Sequence, residues 1–227
     1  MKPNEIFLNG CLEIANDLVE FDFRTQKNGQ LLKKSFNKDV SFEIHFQSSH
    51  NNNLSSILIW PHFSVSSNEL KKWMILQTKN TKSAGIIYSN SIGYVSPYNC
   101  LKKWNLAGET FNKNIQEIIK DIKLYIIPIM NIFQNNIKLI EYLKINGTQF
   151  NKWTEKSLMP ICYLIYLNEK DVAEILLKNY IESCNWGNKI KSFYKKLETE
   201  KDIDVIPNEF INADILKIAY KNGIKVL

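Results

Sequence analysis

A change of hydrophobic period limits the folds open to this chain. Apolar and polar side chains alternate over residues 40–47, which is the pattern of a strand with one buried face. From about Thr110 onward the apolar residues recur at helical spacing instead, as in the stripe Ile115, Ile118, Ile119 and Ile122. Strands that come first and helices that come later predict an α+β protein with an antiparallel sheet.

We expect two regions that together form one compact unit. Residues 1–105 should hold an N-terminal helix and an antiparallel sheet of about four strands with flanking helices, and residues 106–227 should form an all-helical region packed on it. The first helix is expected over 4–19 and the strands over 31–36, 40–47, 57–65 and 84–95. Pro61 lacks a backbone N–H, so the third strand should lie at an edge or carry a bulge. The predicted buried face consists of Phe42, Ile44, Phe46, Ile57, Ile59 and Phe63.

Turn and capping residues divide the helical half. We expect Ser67-Asn68 to cap a short helix, and a later helix over 136–145 to stop at Asn146-Gly147. Helices over 160–167 and 171–181 should form an antiparallel pair, with Asn168 as the N-cap of the second. The last helices are expected over 189–197 and 208–221.

The positive charge of the chain gives little support to nucleic-acid binding. The net charge is +6, but only Arg24 among the 29 basic residues is an arginine, the usual reader of phosphate and guanine. Residues 1–105 carry 12 basic against 8 acidic residues and the remainder 17 against 15, so the excess is thinly spread. The densest basic run (Lys189, Lys191, Lys195 and Lys196) is followed at once by Glu198, a mixture typical of a solvated helix.

The chemistry-bearing residues lack the spacing of common sites. Cys11, Cys100, Cys162 and Cys184 form no C-x-x-C pair, which favours a reduced, cytosolic protein without a structural metal. None of the eight glycines belongs to a dinucleotide or phosphate loop, so we expect no cofactor and no enzyme of a common class. The longest apolar segment, 124–133, is too short to span a bilayer, so no membrane partner is expected.

One group of polar and aromatic side chains stands out as a candidate binding face: Glu43, His45, Gln47, Trp60 and His62. If the two strands around the loop 48–53 pair as a hairpin, some registers bring Glu43 to His62 and His45 to Trp60. A carboxylate and two imidazoles on one face could serve acid–base chemistry or hold a metal. The solvated side of an ordinary half-buried sheet, or a face covered by a helix, explains the same pattern.

Several short segments between Phe23 and Phe133 resemble a bacterial domain-of-unknown-function family, numbered 4304. The segment 33–36 precedes the strand 40–49, which ends in Phe46-Gln47-Ser48-Ser49 as that family's strand does, and Lys103-Trp104 precedes an amphipathic helix that runs into Ile127-Pro128. The chain departs from the family where Arg24 stands before the first strand, and its C-terminal helices lie outside the match. The resemblance implies an α+β fold and a place among small cytosolic proteins that include toxin-immunity proteins, with no catalytic residues to carry over.

The sequence therefore favours a cytosolic bacterial protein that binds another protein, such as an immunity protein that neutralises a toxin domain. Inhibition by binding needs a few buried anchors and no catalytic apparatus. Because this chain is basic, its toxin should be neutral or acidic. The alternative is a small-molecule-binding protein or an unfamiliar enzyme that uses Glu43, His45 and His62. The sequence carries no signal for the oligomeric state.

Overall fold

The computed structural model describes residues 1–78 and 83–225 and confirms the α+β class. A six-stranded antiparallel sheet occupies the N-terminal half, and the chain continues as helices. The chain forms two compact units, each built from two stretches of sequence: Met1–Val65 with Ser89–Gln134, and Ser66–Tyr88 with Asn135–Leu227. We call them the sheet unit and the helical unit. The division of the sequence at residue 105 stays a prediction.

The sheet contains the four predicted strands and two short ones, the first and the last, that were not predicted. They are β1 (Arg24–Gln26), β2 (Leu31–Ser35), β3 (Val40–Ser48), β4 (Leu58–Ser67), β5 (Ile86–Ser91) and β6 (Trp104–Asn105). Their order in the sheet is β1-β2-β3-β4-β5, and β6 also pairs with β4. All six residues of the predicted buried face are at most 4% exposed, so that prediction is confirmed. Phe42 and Phe63 stack across this face with ring centroids 5.6 Å apart.

Of the two alternatives predicted from Pro61, the edge position is wrong, and the bulge stays a prediction. β4 has neighbours on both sides, so it is not an edge strand. β6 pairs with Leu58 and Ile59, and the hydroxyl of Ser91, the last residue of β5, donates to the Pro61 carbonyl oxygen at 3.3 Å. Pro61 therefore lies where β4 changes its neighbour from β6 to β5, a point at which the missing N–H costs the least pairing.

Helices of the sheet unit depend on close apolar contact. They are α1 (Pro3–Asp17), α3 (Phe111–Asp121) and α4 (Ile127–Ile132), and α1 packs against α3. A side chain at Gly10 would put a Cβ atom 2.6 Å from Leu106 Cδ1, so the glycine permits this approach. A π-helical segment, Ile122–Ile126, joins α3 to α4 just before Pro128.

The helical unit contains α2 (Asn68–Thr78), α5 (Asn136–Asn146), α6 (Ile161–Tyr166), α7 (Lys170–Ser183), α8 (Gly187–Thr199) and α9 (Ala213–Lys221). The Ser67 hydroxyl accepts a hydrogen bond from the Leu70 N–H at 2.9 Å, which confirms the predicted cap. Helix α5 ends as predicted, with Gly147 following it at a φ of 59°.

The predicted role of Asn168 is wrong. It has a φ of 63°, and the Glu169 N–H donates to the Leu164 carbonyl at 2.8 Å, so these residues close the C-terminus of α6. The N-cap of α7 is Glu169, and its side chain makes no capping hydrogen bond. Asparagine suits both ends of a helix, because its short side chain can cap an N-terminus and its backbone tolerates the left-handed region.

Two further boundaries differ from the predicted ones. The strand expected over 84–95 stops at Ser91 and continues as a 3-10 turn, Ile92–Val95. The final helix begins at Ala213 rather than near residue 208, and the left-handed Asn212 comes directly before it. Both cases reflect apolar residues outside regular elements, which periodicity alone assigns to the nearest strand or helix.

Candidate functional site: the polar face of the sheet

The five residues predicted as a binding face lie on two adjacent strands of the sheet unit. Glu43, His45 and Gln47 come from β3, and Trp60 and His62 from β4. Each alternates with a buried apolar residue, so the pleat directs all five away from the Phe42–Phe63 core. The Glu43 side chain is 19% exposed and that of His45 is 37% exposed, so the face is neither fully solvated nor covered.

Side-chain interactions connect the two strands. The Trp60 indole N–H donates to Gln47 Oε1. His62 lies close enough to His45 for the charge of His45 to affect its pKa. Burial lowers the pKa of His62 below its ordinary value, and the positive charge of His45 lowers it further. His62 is therefore held in its neutral form.

Glu43 is the centre of a charged row that extends to β2. Lys33 pairs with Glu43 in the β2–β3 register, and its Nζ lies 2.7 Å from Glu43 Oε1. The other carboxylate oxygen, Oε2, lies 3.0 Å from His45 Nε2. Burial opposes ionisation of Glu43, but the Lys33 hydrogen bond and the charges of Lys33 and His45 outweigh it and lower its pKa. With both oxygens engaged, Glu43 orients its neighbours and is poorly placed to act as a free base.

Trp60 is fixed from two sides. Its indole N–H is bound by Gln47, and Lys103 Nζ lies 4.8 Å from its ring centroid in a cation–π contact. Sequence reasoning did not include Lys33 or Lys103 in the face. Lys33 could have been found from a β2–β3 register, whereas Lys103 is 43 positions from Trp60 and carries no local signal.

A second cluster holds the segment that carries Lys103. The Tyr98 hydroxyl lies 2.7 Å from Glu117 Oε1 and 3.0 Å from Asp121 Oδ2, two carboxylates one turn apart on α3. Lys102 Nζ lies 3.6 Å from Glu117 Oε1 and 4.5 Å from the Tyr98 ring centroid. The cluster ties the segment between β5 and α3 to that helix. A sequence signal was available, since Asp121 interrupts the isoleucine stripe.

The two carboxylates of this cluster have opposite pKa shifts. Burial raises the pKa of Asp121 and the negative charge of Glu117 raises it further, against the hydrogen bond with Tyr98. Burial also opposes ionisation of Glu117, but hydrogen bonds from Tyr98 and Lys102 and the charge of Lys102 lower its pKa overall. Burial and the two carboxylates together raise the pKa of Tyr98. A phenol has one proton, so a protonated Asp121 would satisfy the second contact.

The described part of the chain contains neither a candidate metal site nor a helix that could span a membrane. Within residues 1–78 and 83–225, no three His, Cys, Asp or Glu side chains come together as a metal site would require. No helix in those ranges combines the length and apolarity needed to cross a bilayer. Cys11, Cys100, Cys162 and Cys184 are all free thiols. Burial raises the pKa of Cys162 to about 12 and also raises that of Cys11, so neither is a reactive thiolate.

Comparison with known proteins identifies neither a family nor a related structure for this chain. No family model, curated protein or solved structure matches this chain.

Proposed function

We propose that this chain is a protein-binding module that docks through the polar face of its sheet: Glu43, His45, Gln47, Trp60 and His62, bordered by Lys33 and Lys103. The observation that carries the proposal is the fixed Trp60 side chain, half-buried and held between Gln47 and Lys103. Tryptophan is enriched among residues that dominate binding energy. An anchor that is already immobile loses little conformational entropy when a partner covers it.

The charges of the face specify the chemistry of the partner. Glu43 is neutralised by Lys33, so Lys103 contributes a positive charge that no carboxylate among the described residues offsets in an ion pair. A partner surface that is neutral or acidic and offers hydrogen-bond acceptors to the imidazoles would be complementary. The resemblance to the family numbered 4304 makes a bacterial toxin domain, neutralised in the cytoplasm by direct binding, the specific partner that we propose. Four free cysteines are typical of a reducing compartment.

The alternative, a small-molecule site or unfamiliar enzyme at Glu43, His45 and His62, has less support. Four clefts, of about 670, 480, 280 and 240 Å³, are lined by residues of the helical unit. Catalysis by Glu43 would also require it to give up a contact with Lys33 or His45. A sheet face with an aromatic anchor suits a macromolecular partner better than a buried substrate.

The test compares two tryptophan variants. The immobilised chain captures its partner from a native lysate, the partner is identified by mass spectrometry and purified, and calorimetry measures its affinity for wild type, Trp60→Ala and Trp186→Ala. Trp186 is the matched control, because it is 59% exposed but belongs to the helical unit. We expect Trp60→Ala to weaken binding by about 30-fold or more, as for an interface hot spot. Trp186→Ala should stay within about twofold, as expected outside an interface.

Two results would refute the proposal. One is a purified partner that binds Trp60→Ala as tightly as wild type, when circular dichroism shows both to be equally folded. The other is an equal loss of affinity in Trp186→Ala. A small ligand whose binding requires His45 but not Trp60 would instead support the alternative, and a captured toxin domain would support the immunity role.

A further inference from the structure

A cleft in the helical unit has the composition of an anion site. It has a volume of about 670 Å³, within the range of small-ligand pockets, and lies among α8, α9 and the segments that follow them. Its lining consists of Lys191, Tyr194, Lys195, Glu198, Ile203, Tyr220, Lys221, Gly223, Ile224 and Lys225. The lining thus contains four lysines and one glutamate, and two tyrosines and two isoleucines provide an apolar floor.

The structure separates the lysine run of α8 into two pairs with different surroundings. Lys196 Nζ contacts Glu209 Oε1, and Lys189 Nζ lies over the rings of Trp186 and Phe210 at 5.2 and 5.3 Å. Lys191 and Lys195 instead line the cleft and form no ion pair with any described residue. Like charges at i and i+4 repel each other on a helix, so this pair is stabilised when an anion binds between them.

The other two lysines of the cleft are Lys221 and Lys225, and only one of them is paired with an acid among the described residues. Lys221 is paired with Asp204, whereas the ammonium group of Lys225 has no acidic partner within the described ranges. The backbone N–H of Lys225 donates to Glu174 Oε1 at 3.0 Å, which fixes that residue beside the cleft. Three of the four lysines are therefore available to an anionic ligand.

Tyr194 supplies an independent indication of a ligand. Its side chain is only 4% exposed, and its hydroxyl group has no hydrogen-bond partner among the described residues. Burial raises the pKa of Tyr194 and the nearby charge of Glu174 raises it further, so the hydroxyl keeps its proton. A buried donor without a partner is costly, and a ligand oxygen would remove that cost. Its ring meets Tyr220 edge-on, with centroids 5.9 Å apart.

We propose that this cleft binds a small phosphate monoester with an aromatic or apolar body. The ammonium groups of Lys191, Lys195 and Lys225 would contact the phosphate, since lysine binds phosphate as a point charge. The Tyr194 hydroxyl would donate to a phosphate or ester oxygen. The rings of Tyr194 and Tyr220, with Ile203 and Ile224, would contact the apolar body. This inference is independent of the sheet face and of its partner.

The experiment titrates the whole 227-residue chain with phenyl phosphate, inorganic phosphate, phenol and a short single-stranded oligonucleotide, using calorimetry at low and at physiological salt. Phenyl phosphate should bind most tightly, because only it engages both the lysines and the apolar floor. The double variant Lys191→Gln/Lys195→Gln should weaken that binding by about tenfold or more. Tyr194→Phe should weaken it by about threefold or more with no loss of thermal stability, because the hydroxyl it removes has no partner to lose.

The matched control is Lys189→Gln/Lys196→Gln, which changes the charge of the same helix equally but leaves the cleft lining intact. Its affinity for phenyl phosphate should stay within about twofold of wild type once salt screens distant charges. Equal losses in the two double variants would overturn the proposal in favour of a diffuse polyanion surface, and so would tighter binding of the oligonucleotide. The proposal would also be refuted if phenyl phosphate showed no binding up to about 10 mM, because a specific small-ligand site should have a dissociation constant below that concentration.

Discussion

The polar face of the sheet and the cleft of the helical unit differ in how far their polar and charged groups are paired. On the sheet, Glu43 contacts both Lys33 and His45, and Trp60 has its N–H bonded and its ring covered by Lys103. In the cleft, Lys191 and Lys195 form no ion pair with a described residue, and the Tyr194 hydroxyl has no hydrogen-bond partner there either. A face whose groups satisfy one another suits a macromolecular partner that covers it whole, whereas unsatisfied groups around a cavity suit a small ligand of opposite charge.

The largest effect should come from a charge in the core of the helical unit. Leu164 is fully buried in α6, which packs against α7. We expect Leu164→Asp to cost about 5 kcal/mol or more, because it removes apolar burial and introduces an unpaired carboxylate. Such a loss is comparable with the whole stability of a typical domain, so the yield of soluble folded protein should collapse. A normally folded Leu164→Asp chain that no longer captures its partner would show that α6 is a binding surface and would break the comparison drawn above.

The core beneath the sheet face should be nearly as sensitive. Phe42→Ala and Phe46→Ala should each lower the free energy of unfolding by about 3–5 kcal/mol, through lost transfer energy and the cavity left behind. Phe42 also loses its stacking contact with Phe63. Urea unfolding followed by circular dichroism measures the difference. A loss below about 1 kcal/mol is far less than a cavity costs, so such a loss in both variants would contradict the burial of these side chains.

A smaller effect concerns the acid sensitivity of the sheet face. The pKa of His62 is lower in the folded chain than in the unfolded one, so the unfolded chain binds more protons between these two values. The free energy of unfolding should therefore fall as the pH is lowered from 7.5 toward 5.5, by at most about 1.4 kcal/mol per pH unit for one proton. Glu43 has a lowered pKa, so the stability that it contributes is present over this range and is lost only at more acidic pH.

The measurement is urea unfolding at pH 7.5, 6.5 and 5.5 on wild type, His62→Gln and His50→Gln. The His62→Gln variant should lose most of the pH slope, because the half-buried imidazole that resists protonation is gone. His50 is exposed in the turn after β3, and its variant should keep the wild-type slope. If all three chains show the same slope, the sheet face does not hold His62 neutral, and the contrast with the cleft loses part of its basis.

Local patterns were enough to predict the elements of the fold but not the contacts between distant elements. Alternation over 40–47 identified Phe42, Ile44 and Phe46 as buried, because a pleated strand leaves no other choice. Asn146-Gly147 marked the end of α5, since glycine accepts the positive φ found there. Asn168 was assigned to the wrong helix end, because an asparagine has favourable conformations at both.

Contacts between distant residues follow from tertiary structure alone. The loop after β3 is long enough to permit several registers, and only the folded sheet brings the side chain of Gln47 to Trp60 and that of His45 near His62. Tyr98 contacts Glu117 and Asp121 across 19 and 23 positions. Asp121 stood out in the sequence as a polar residue beside the isoleucine stripe, but no short pattern could join it to Tyr98.

The sequence by itself determined the apolar face of the sheet, because burial along a strand follows from its repeat of two residues. It also supplied the lysine run of α8, but as one undivided group. The tertiary structure decided that Lys189 and Lys196 find an acid or an aromatic ring, whereas Lys191 and Lys195 face a cavity. The reason is physical: the interaction between charges depends on their separation in space and on the medium between them, and folding sets both.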